Sequence, residues 1–237
     1  EHDSVMQVLF KDAKGKYDFV CFNGDMTSAV DSTAEIRIHY MKTASKLFAS
    51  DTPLYLCRGN HEYRGNDAIK FVDYFQTPTG KTYYSASYGK YFFLFLDSGE
   101  DKVDSDIRNL DIMMTEKYVQ EEAEWLKTVV ESEEYKNADV KIAFCHIPPS
   151  PTGWYGNATV SKYLVPPLNG TGLDLMLCAH IHKYSYREAG KNGCDFPVLC
   201  NANQQRLDAT VDKNGIRIEI YDASGAKLHS LKFDKKK

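Results

Sequence analysis

A chain of 237 residues with 43% hydrophobic and 26% charged residues is long enough to form one large globular domain, which buries roughly 70–75% of the surface that its unfolded form exposes. The formal net charge is -4 and the one strong basic run is Lys235-Lys236-Lys237, so the chain lacks the basic face that duplex nucleic acid requires. No apolar run approaches the ~20 residues needed to cross a bilayer, which predicts a protein without a membrane span.

The six cysteines predict buried, unreactive thiols more than disulfide bridges. Cys194 and Cys200 alone lie in segments loose enough to pair with each other. No CxxC spacing is present, which excludes a zinc ribbon. The other four cysteines each end an apolar run directly before a polar motif, and they are Cys21, Cys57, Cys145 and Cys178.

Short apolar runs bounded by turn residues alternate with longer stretches of helical periodicity. The short runs, at residues 17–22, 53–57, 140–145 and 173–178, predict buried strands. Helical spacing of apolar residues predicts helices over residues 3–14, 32–48, 67–75 and 115–133, the last with Glu121, Glu122 and Glu124 facing water. Strands that alternate with helices indicate an α/β layered core, and no linker or repeat divides it, so residues 1–237 are expected to form one domain.

Two segments are typical of antiparallel hairpins. Residues 82–88 and 91–97 are joined at Gly89-Lys90, and the tail over residues 196–233 contains strand pairs that turn at Asn214-Gly215 and Ser224-Gly225. These antiparallel strands are expected to close the sheet. Residues 101–111 are polar and lack an apolar period, which predicts a surface loop.

Each buried strand of the predicted core ends in a polar cluster, as expected when a site forms at the carboxyl edge of a sheet. In chain order the clusters are Asn23-Gly24-Asp25, Gly59-Asn60-His61-Glu62, His146 and His180-Ile181-His182. Any one of these groups alone is typical of a turn residue or a hydrogen-bonded core histidine. Together they place several imidazoles beside a carboxylate, which is costly unless a cation binds them. Mixed His, Asn and Asp ligands suit Mn, Fe or Zn.

These clusters resemble the calcineurin-like metallophosphoesterases, whose pattern is DxH, GD, GNH followed by D or E, an isolated H, and GHxH. The motifs match in order from about Tyr17 to His182. The resemblance implies a layered β-sandwich core flanked by helices and two transition metals in the complete protein. It makes Asp25 the carboxylate that bridges the metals, with Asn60, His146 and His180 on one metal and His182 on the other. It places His61 beside the substrate.

The chain departs from the family pattern at three places. Ala179 replaces the usual glycine, a change that is tolerated if the backbone there does not need a positive φ. No tyrosine follows Gly24-Asp25 closely, so the tyrosinate ligand of purple acid phosphatases has no candidate. The DxH motif and its strand are absent, and we expect them immediately before Glu1, so that the chain as given binds one transition metal firmly or none.

The resemblance implies hydrolysis of a small phosphorylated substrate, most simply a phosphomonoester. His61 is the expected general acid, and Glu62 is expected to orient His61 or to cap the following helix. Arg58 and Arg64 flank the Gly59-Asn60-His61-Glu62 motif, where they could bind phosphate or form surface ion pairs. Trp154 and Tyr155 could form an aromatic wall over the metals or could pack the loop that contains them.

Two other functions remain open from the sequence. One is a phosphodiesterase that acts on small nucleotides, and the other is a binding module that kept the fold without catalysis. The hairpin over residues 82–97 is similar to that of purple-acid-phosphatase-like enzymes, a group often exported, which favours a monoesterase and an exported protein. The sequence indicates no particular oligomeric state.

Overall fold

The computed structural model of the protein describes residues 2–109 and 113–235. Its strands are β1 (Val20–Asn23), β2 (Leu54–Cys57), β3 (Tyr84–Tyr88), β4 (Tyr91–Leu96), β5 (Val140–Cys145), β6 (Leu175–Cys178), β7 (Ser185–Arg187), β8 (Val198–Cys200), β9 (Arg206–Asp212), β10 (Gly215–Tyr221) and β11 (Lys227–Asp234). Its α-helices are α1 (His2–Leu9), α2 (Thr33–Ile36), α3 (Thr43–Leu47), α4 (Phe71–Tyr74), α5 (Thr115–Val130), α6 (Glu133–Lys136), α7 (Tyr155–Tyr163) and α8 (Val165–Leu168).

The strands form three sheets. The largest has six strands in the order β3-β4-β5-β6-β8-β7, in which the four inner strands are parallel and each edge strand is antiparallel to its neighbour. Strands β1 and β2 form a parallel pair, and β9, β10 and β11 form an antiparallel sheet. The carboxyl ends of β1, β2, β5 and β6 therefore provide the four positions at which the sequence places polar clusters.

Alternating side chains along each inner strand define two layers of core. On β4, Phe92, Leu94 and Leu96 pack against α5, α7 and α8, whereas Phe93 and Phe95 face the other way. That second face packs against β1, β2 and β10. A period of two residues sends successive side chains to opposite faces of a sheet, so a strand buried on both sides is apolar throughout.

A third apolar cluster covers the outer face of β1 and β2. Val20, Phe22 and Leu56 point away from the large sheet and pack against α1 to α4 and the π-helical segment Arg37–Lys42, through side chains that include Tyr40 and Phe48. The order of layers is thus helices, six-stranded sheet, the two smaller sheets, and helices. This architecture confirms the predicted α/β β-sandwich flanked by helices.

The structure differs from the sequence predictions at three points. The tail strands β9 to β11 form a separate sheet that faces the large one, because Ile216, Ile218 and Ile220 of β10 pack onto its apolar face. Glu122, predicted to face water, is buried. The predicted loop at 101–111 contains the 3-10 turn Ile107–Asn109, and its last two residues lie outside the described ones.

Within the described part of the chain, no helix combines the length and the hydropathy needed to cross a bilayer.

Candidate metal centre

Four side chains from four different strand ends meet at the carboxyl edge of the sandwich. Asp25 follows β1, Asn60 follows β2, His146 follows β5 and His180 follows β6. Ligand atoms of Asp25, His146 and His180 all lie within 4.8 Å of one another. Oδ1 of Asn60 lies 3.1 Å from Nδ1 of His180, which brings the amide into the same group.

The two glycines of these motifs allow the loops to approach each other. A Cβ on Gly24 would lie 2.5 Å from Nδ1 of His146 and 2.7 Å from the backbone of Gly59. A Cβ on Gly59 would overlap Oδ1 of Asp25. Contacts this short do not occur between real side chains, so only glycine at both positions lets Asp25 lie against the loop that follows β2.

Glu62 links the loop that follows β1 to the loop that follows β2. Its buried carboxylate accepts hydrogen bonds from the backbone N–H groups of Asp25 at 2.9 Å, Met26 at 2.8 Å and Gly59 at 3.0 Å. The sequence predicted that Glu62 would orient His61 or cap the following helix. In the structure, Glu62 instead binds the backbone of the two loops. A buried carboxylate with several backbone donors fixes the position of both loops.

His146 and Asp25 have the geometry of two ligands that share a cation. Nδ1 of His146 donates to the carbonyl of Asn23 at 2.6 Å, which leaves the lone pair of Nε2 directed toward the site. Nε2 lies 2.9 Å from Oδ2 of Asp25 but makes no hydrogen bond of acceptable angle. Two lone-pair atoms this close need a proton or a metal ion between them, and a metal therefore fits these residues.

The pKa values follow from this crowding. Burial acts to raise the pKa of Asp25, but the His146 imidazole lowers it to about 2. Burial acts to lower the pKa of His146, yet the Asp25 carboxylate holds it above its ordinary value. Burial and the neighbouring His146 ring lower the pKa of His180 to about 4, so His180 is neutral and able to ligate a metal at neutral pH.

The backbone is strained at this edge of the sheet. Asp25, His180 and His182 have φ angles of 55°, 61° and 54°, a region that residues other than glycine seldom adopt. Such strain tends to occur at functional sites, where the surrounding structure enforces it. Ala179 is not among the residues with a positive φ, so the replacement of the usual glycine is compatible with the fold.

His182 stands apart from the other predicted ligands. Its side chain is exposed, and among the described residues it belongs to no group of three or more ligand side chains within metal-binding distance. It lines the cleft beside His180. The structure therefore brings together four of the five predicted metal ligands.

His61 lies at the cleft side of Asp25. Its backbone N–H donates to Oδ1 of Asp25 at 3.0 Å, and its Nδ1 donates to the carbonyl of Ser28 at 2.9 Å. Because a carbonyl can only accept, Nδ1 carries the proton in the neutral ring. Nε2 then faces the cleft, 4.0 Å from Oδ2 of Asp25.

The two predicted arginines have different surroundings. Arg64 places Nη1 3.3 Å from Nε2 of His61, while its Nε donates to Glu100 at 3.0 Å and its Nη2 donates to Asp101 at 2.9 Å. Arg58 is buried away from the cleft. Its Nε donates to Asp97 at 2.8 Å, and its guanidinium lies 3.7 Å from the centre of the Tyr63 ring.

Trp154 and Tyr155, the two predicted aromatic residues of the site, also have different surroundings. Trp154 is 73% exposed and lines a cleft of about 670 Å³ that opens onto Asp25, His61 and His180. The hydroxyl of Tyr155 instead donates to Glu116 of α5 at 3.0 Å, which packs the loop against the helix.

Three charged residues of the cleft were missed by the sequence reasoning, namely Asp101, Lys183 and Arg187. Lys183 directly follows the last motif residue, His182, and that adjacency was an available signal. Asp101 and Arg187 are brought to the cleft by strand order and loop packing, for which the sequence has no signal.

This fold, with ligand side chains at the ends of four strands, defines a metallophosphoesterase. The family of calcineurin-like phosphoesterases matches residues 2–184, more than half of the chain, and the protein belongs to that family. Members of this family are metal-dependent phosphoesterases. No curated protein matches the sequence.

The chain is similar in structure to a solved protein described as GAP50, the anchor in the inner membrane complex of Plasmodium. The TM-score is 0.62 at 13% sequence identity, over 100% of this chain and 84% of the other. At this identity the likeness concerns the fold alone.

Proposed function

We propose that this protein hydrolyses phosphate monoesters in a metal-dependent reaction at the edge formed by β1, β2, β5 and β6. The observation that carries the proposal is the convergence of Asp25, His146 and His180 within 4.8 Å, with Asn60 in contact with His180. These four side chains would hold a transition metal such as Mn, Fe or Zn. A metal bound there would neutralise phosphoryl charge and lower the pKa of a bound water.

His61 supplies the proton that the leaving alkoxide needs. Its Nε2 faces the cleft, and its Nδ1 donates to the carbonyl of Ser28, so the ring is held in one orientation. Arg64 Nη1 lies beside Nε2 and is held in turn by Glu100 and Asp101, which places a second donor where a phosphoryl oxygen would enter. General acid catalysis of this kind is typically worth ~10²–10⁴ in rate.

The rest of the cleft supports a small substrate. Lys183 and Arg187 add positive charge near the metal ligands, and the exposed ring of Trp154 gives an apolar wall at the mouth. A substrate that joins an organic group to a phosphate matches a cleft lined by both cationic side chains and an exposed aromatic ring. The cleft volume of about 670 Å³ lies within the range of small-molecule sites.

The test is hydrolysis of nitrophenyl phosphate by the purified chain loaded with Mn²⁺, Fe²⁺ or Zn²⁺. We expect turnover of the monoester that exceeds turnover of bis-nitrophenyl phosphate and that is lost in Asp25→Asn. His39→Ala removes a histidine of the helical layer that belongs to none of the motifs and pairs with Glu35 at 3.1 Å, and it serves as the matched control. Greater turnover of the bis-ester would instead indicate a phosphodiesterase.

A binding module is the second candidate, and the exposed position of His182 favours it. Among the described residues, Asp25, Asn60, His146 and His180 form one ligand group that His182 does not join, which is the arrangement expected of a site for one metal. A chain that binds one metal and a phosphorylated ligand without turning over either ester would support this second candidate against the first.

A further inference from the structure

Two cysteines lie side by side at the base of the cleft. Cys178 ends β6 and Cys200 ends β8, and the parallel pairing of these strands makes the two residues direct partners. Both side chains belong to the core layer between the large sheet and α5, α7 and α8, so they point to the same face.

The spacing of the strands suits a disulfide. Adjacent strands lie about 4.7–4.9 Å apart. A disulfide needs Cα atoms that are roughly 4.4–6.8 Å apart and Cβ atoms about 3.5–4.5 Å apart. Paired residues on neighbouring strands have Cα atoms within the required range. A small movement of the ends of β6 and β8 toward each other would bring the two Cβ atoms within theirs.

The cleft borders this pair on one side only, at Cys200. Cys200 is one of the residues that line it, together with His180 and Arg187. Cys178 is not among the residues that line the cleft, and both cysteines are 2% exposed. This arrangement makes Cys200 the thiol that an entering molecule meets first and Cys178 the thiol that can react with it afterwards.

The other cysteines lack this combination. Cys145 of β5 belongs to the same core layer, but its Sγ donates to the carbonyl of Ile147 at 3.5 Å. On the smaller sheet the pairing register sets Cys21 opposite Tyr55 and Cys57 opposite Asn23, so those two thiols are not direct partners. Cys194, which the sequence suggested as the partner of Cys200, is a free thiol whose Sγ donates to the carbonyl of Asn192 at 3.9 Å.

We propose that Cys178 and Cys200 form a reversible disulfide when a hydroperoxide enters the cleft. The sulfur of Cys200 attacks the peroxide, the O–O bond breaks, and a sulfenic acid forms with release of an alcohol or water. The sulfur of Cys178 then attacks the sulfenic sulfur, the S–S bond forms, the S–O bond breaks, and water leaves. Two thiols lose two electrons and two protons in total, and one peroxide is reduced.

The disulfide acts on the metal centre because Cys178 lies two residues before His180. Drawing the ends of β6 and β8 together moves the strained turn that holds His180 against Asn60. The expected result is weaker metal binding in the oxidised protein, since small displacements of a ligand and its supporting contacts reduce metal affinity about 10–100-fold. The disulfide itself does not depend on the proposed phosphatase activity.

The test uses the whole chain, treated with hydrogen peroxide in the presence of a chelator and then alkylated. We expect loss of two of the six thiols, with recovery on addition of dithiothreitol. Digestion with trypsin and an endoproteinase that cleaves before aspartate separates Cys194 from Cys200, because Asp195 lies between them. Mass spectrometry should then find the peptide of Cys178 linked to that of Cys200.

Three variants make the assignment specific. Cys178→Ala and Cys200→Ala should each abolish the loss of two thiols, whereas Cys145→Ala, equally buried in the same core layer, should leave it intact. The wild-type peptide measurement stands even if a variant fails to fold. A linked pair that involves any other cysteine, or sulfinic acid at Cys200 without a link, would overturn the proposal.

Mn²⁺ binding provides the second readout. Titration of the reduced and oxidised chain should show at least about tenfold weaker binding after oxidation, restored by dithiothreitol. Equal affinity in the two states, with the disulfide demonstrated, would overturn its coupling to the metal centre. Phosphatase assays are not needed for either result, so failure of the proposed activity and failure of this inference are distinguishable.

Discussion

Nε2 of His146 lies 2.9 Å from Oδ2 of Asp25 without a hydrogen bond of acceptable angle, while Nδ1 of the same ring donates to Asn23. The backbone contact fixes the tautomer and leaves the lone pair of Nε2 free, close to the carboxylate. Both atoms are then electron donors that lie close enough to bind one cation. The pair explains why a cation is the natural occupant and why each residue shifts the pKa of the other.

Removal of the Asp25 charge should empty this site. Asp25→Asn keeps the size of the side chain but loses the negative charge that offsets a bound cation, so we expect metal affinity to fall on the order of 100-fold. Metal analysis after dialysis measures this directly. Asp73→Asn, an exposed aspartate on α4, is the matched control. Normal metal content in Asp25→Asn would contradict the assignment.

His61 should matter for chemistry and not for metal content. His61→Ala is expected to lower kcat about 10²–10⁴-fold, because the leaving group loses its proton donor. Its backbone N–H still donates to Asp25 in the variant, so the metal ligands stay in place. Metal content and kcat are measured on the same preparation. Loss of metal in parallel with kcat would identify His61 as a ligand instead.

Glu62 should support the metal centre without touching the metal. Glu62→Gln replaces one accepting oxygen by an NH₂ group beside backbone N–H donors, which leaves buried donors unpaired at a cost of about 1–3 kcal/mol each. We expect lower stability to denaturant and weaker metal binding together. Glu124→Gln, exposed on α5, should change neither. An unaffected Glu62→Gln protein would mean that the two loops are held by other contacts.

Glu122 predicts a dependence of stability on pH. Burial and the nearby Asp97 carboxylate raise its pKa well above the ordinary value, although the Asp97 backbone N–H opposes this by donating to Oε1 at 3.0 Å. A raised pKa in the folded state means that the stability contribution is complete below the unfolded pKa of about 4.3 and is lost as the pH rises through the folded pKa.

Glu122→Gln removes that titration while it keeps the shape and the acceptor oxygen. The variant should therefore gain stability relative to the wild type as the pH rises above about 4.3, by an amount on the order of 1 kcal/mol. Denaturant unfolding of both proteins at several pH values measures the difference. A difference that stays constant with pH would show that Glu122 does not titrate differently in the folded and unfolded states.

The sequence by itself determined the order of strands and helices and the positions of the polar clusters. Apolar runs such as residues 140–145 can be buried only as strands between two layers, and a polar residue directly after such a run must lie at the edge of the sheet. For that reason the clusters that contain Asp25, Asn60, His146 and His180 were predicted to share one sheet edge from local pattern, and the family resemblance then implied that these four residues bind one metal. The resemblance to the metallophosphoesterases added the layered sandwich, which the structure confirms.

Only the tertiary structure decided which side chains meet across elements distant in the chain. The spacing of charges on α5 suggested that Glu122 faces water, but its position over β4 buries it beside Asp97. The pairing of Cys178 with Cys200 depends on β8 lying next to β6, with the intervening strand β7 moved to the edge. Local sequence fixes the periodicity of an element, whereas its neighbours follow from the packing of the whole core, which no single segment encodes.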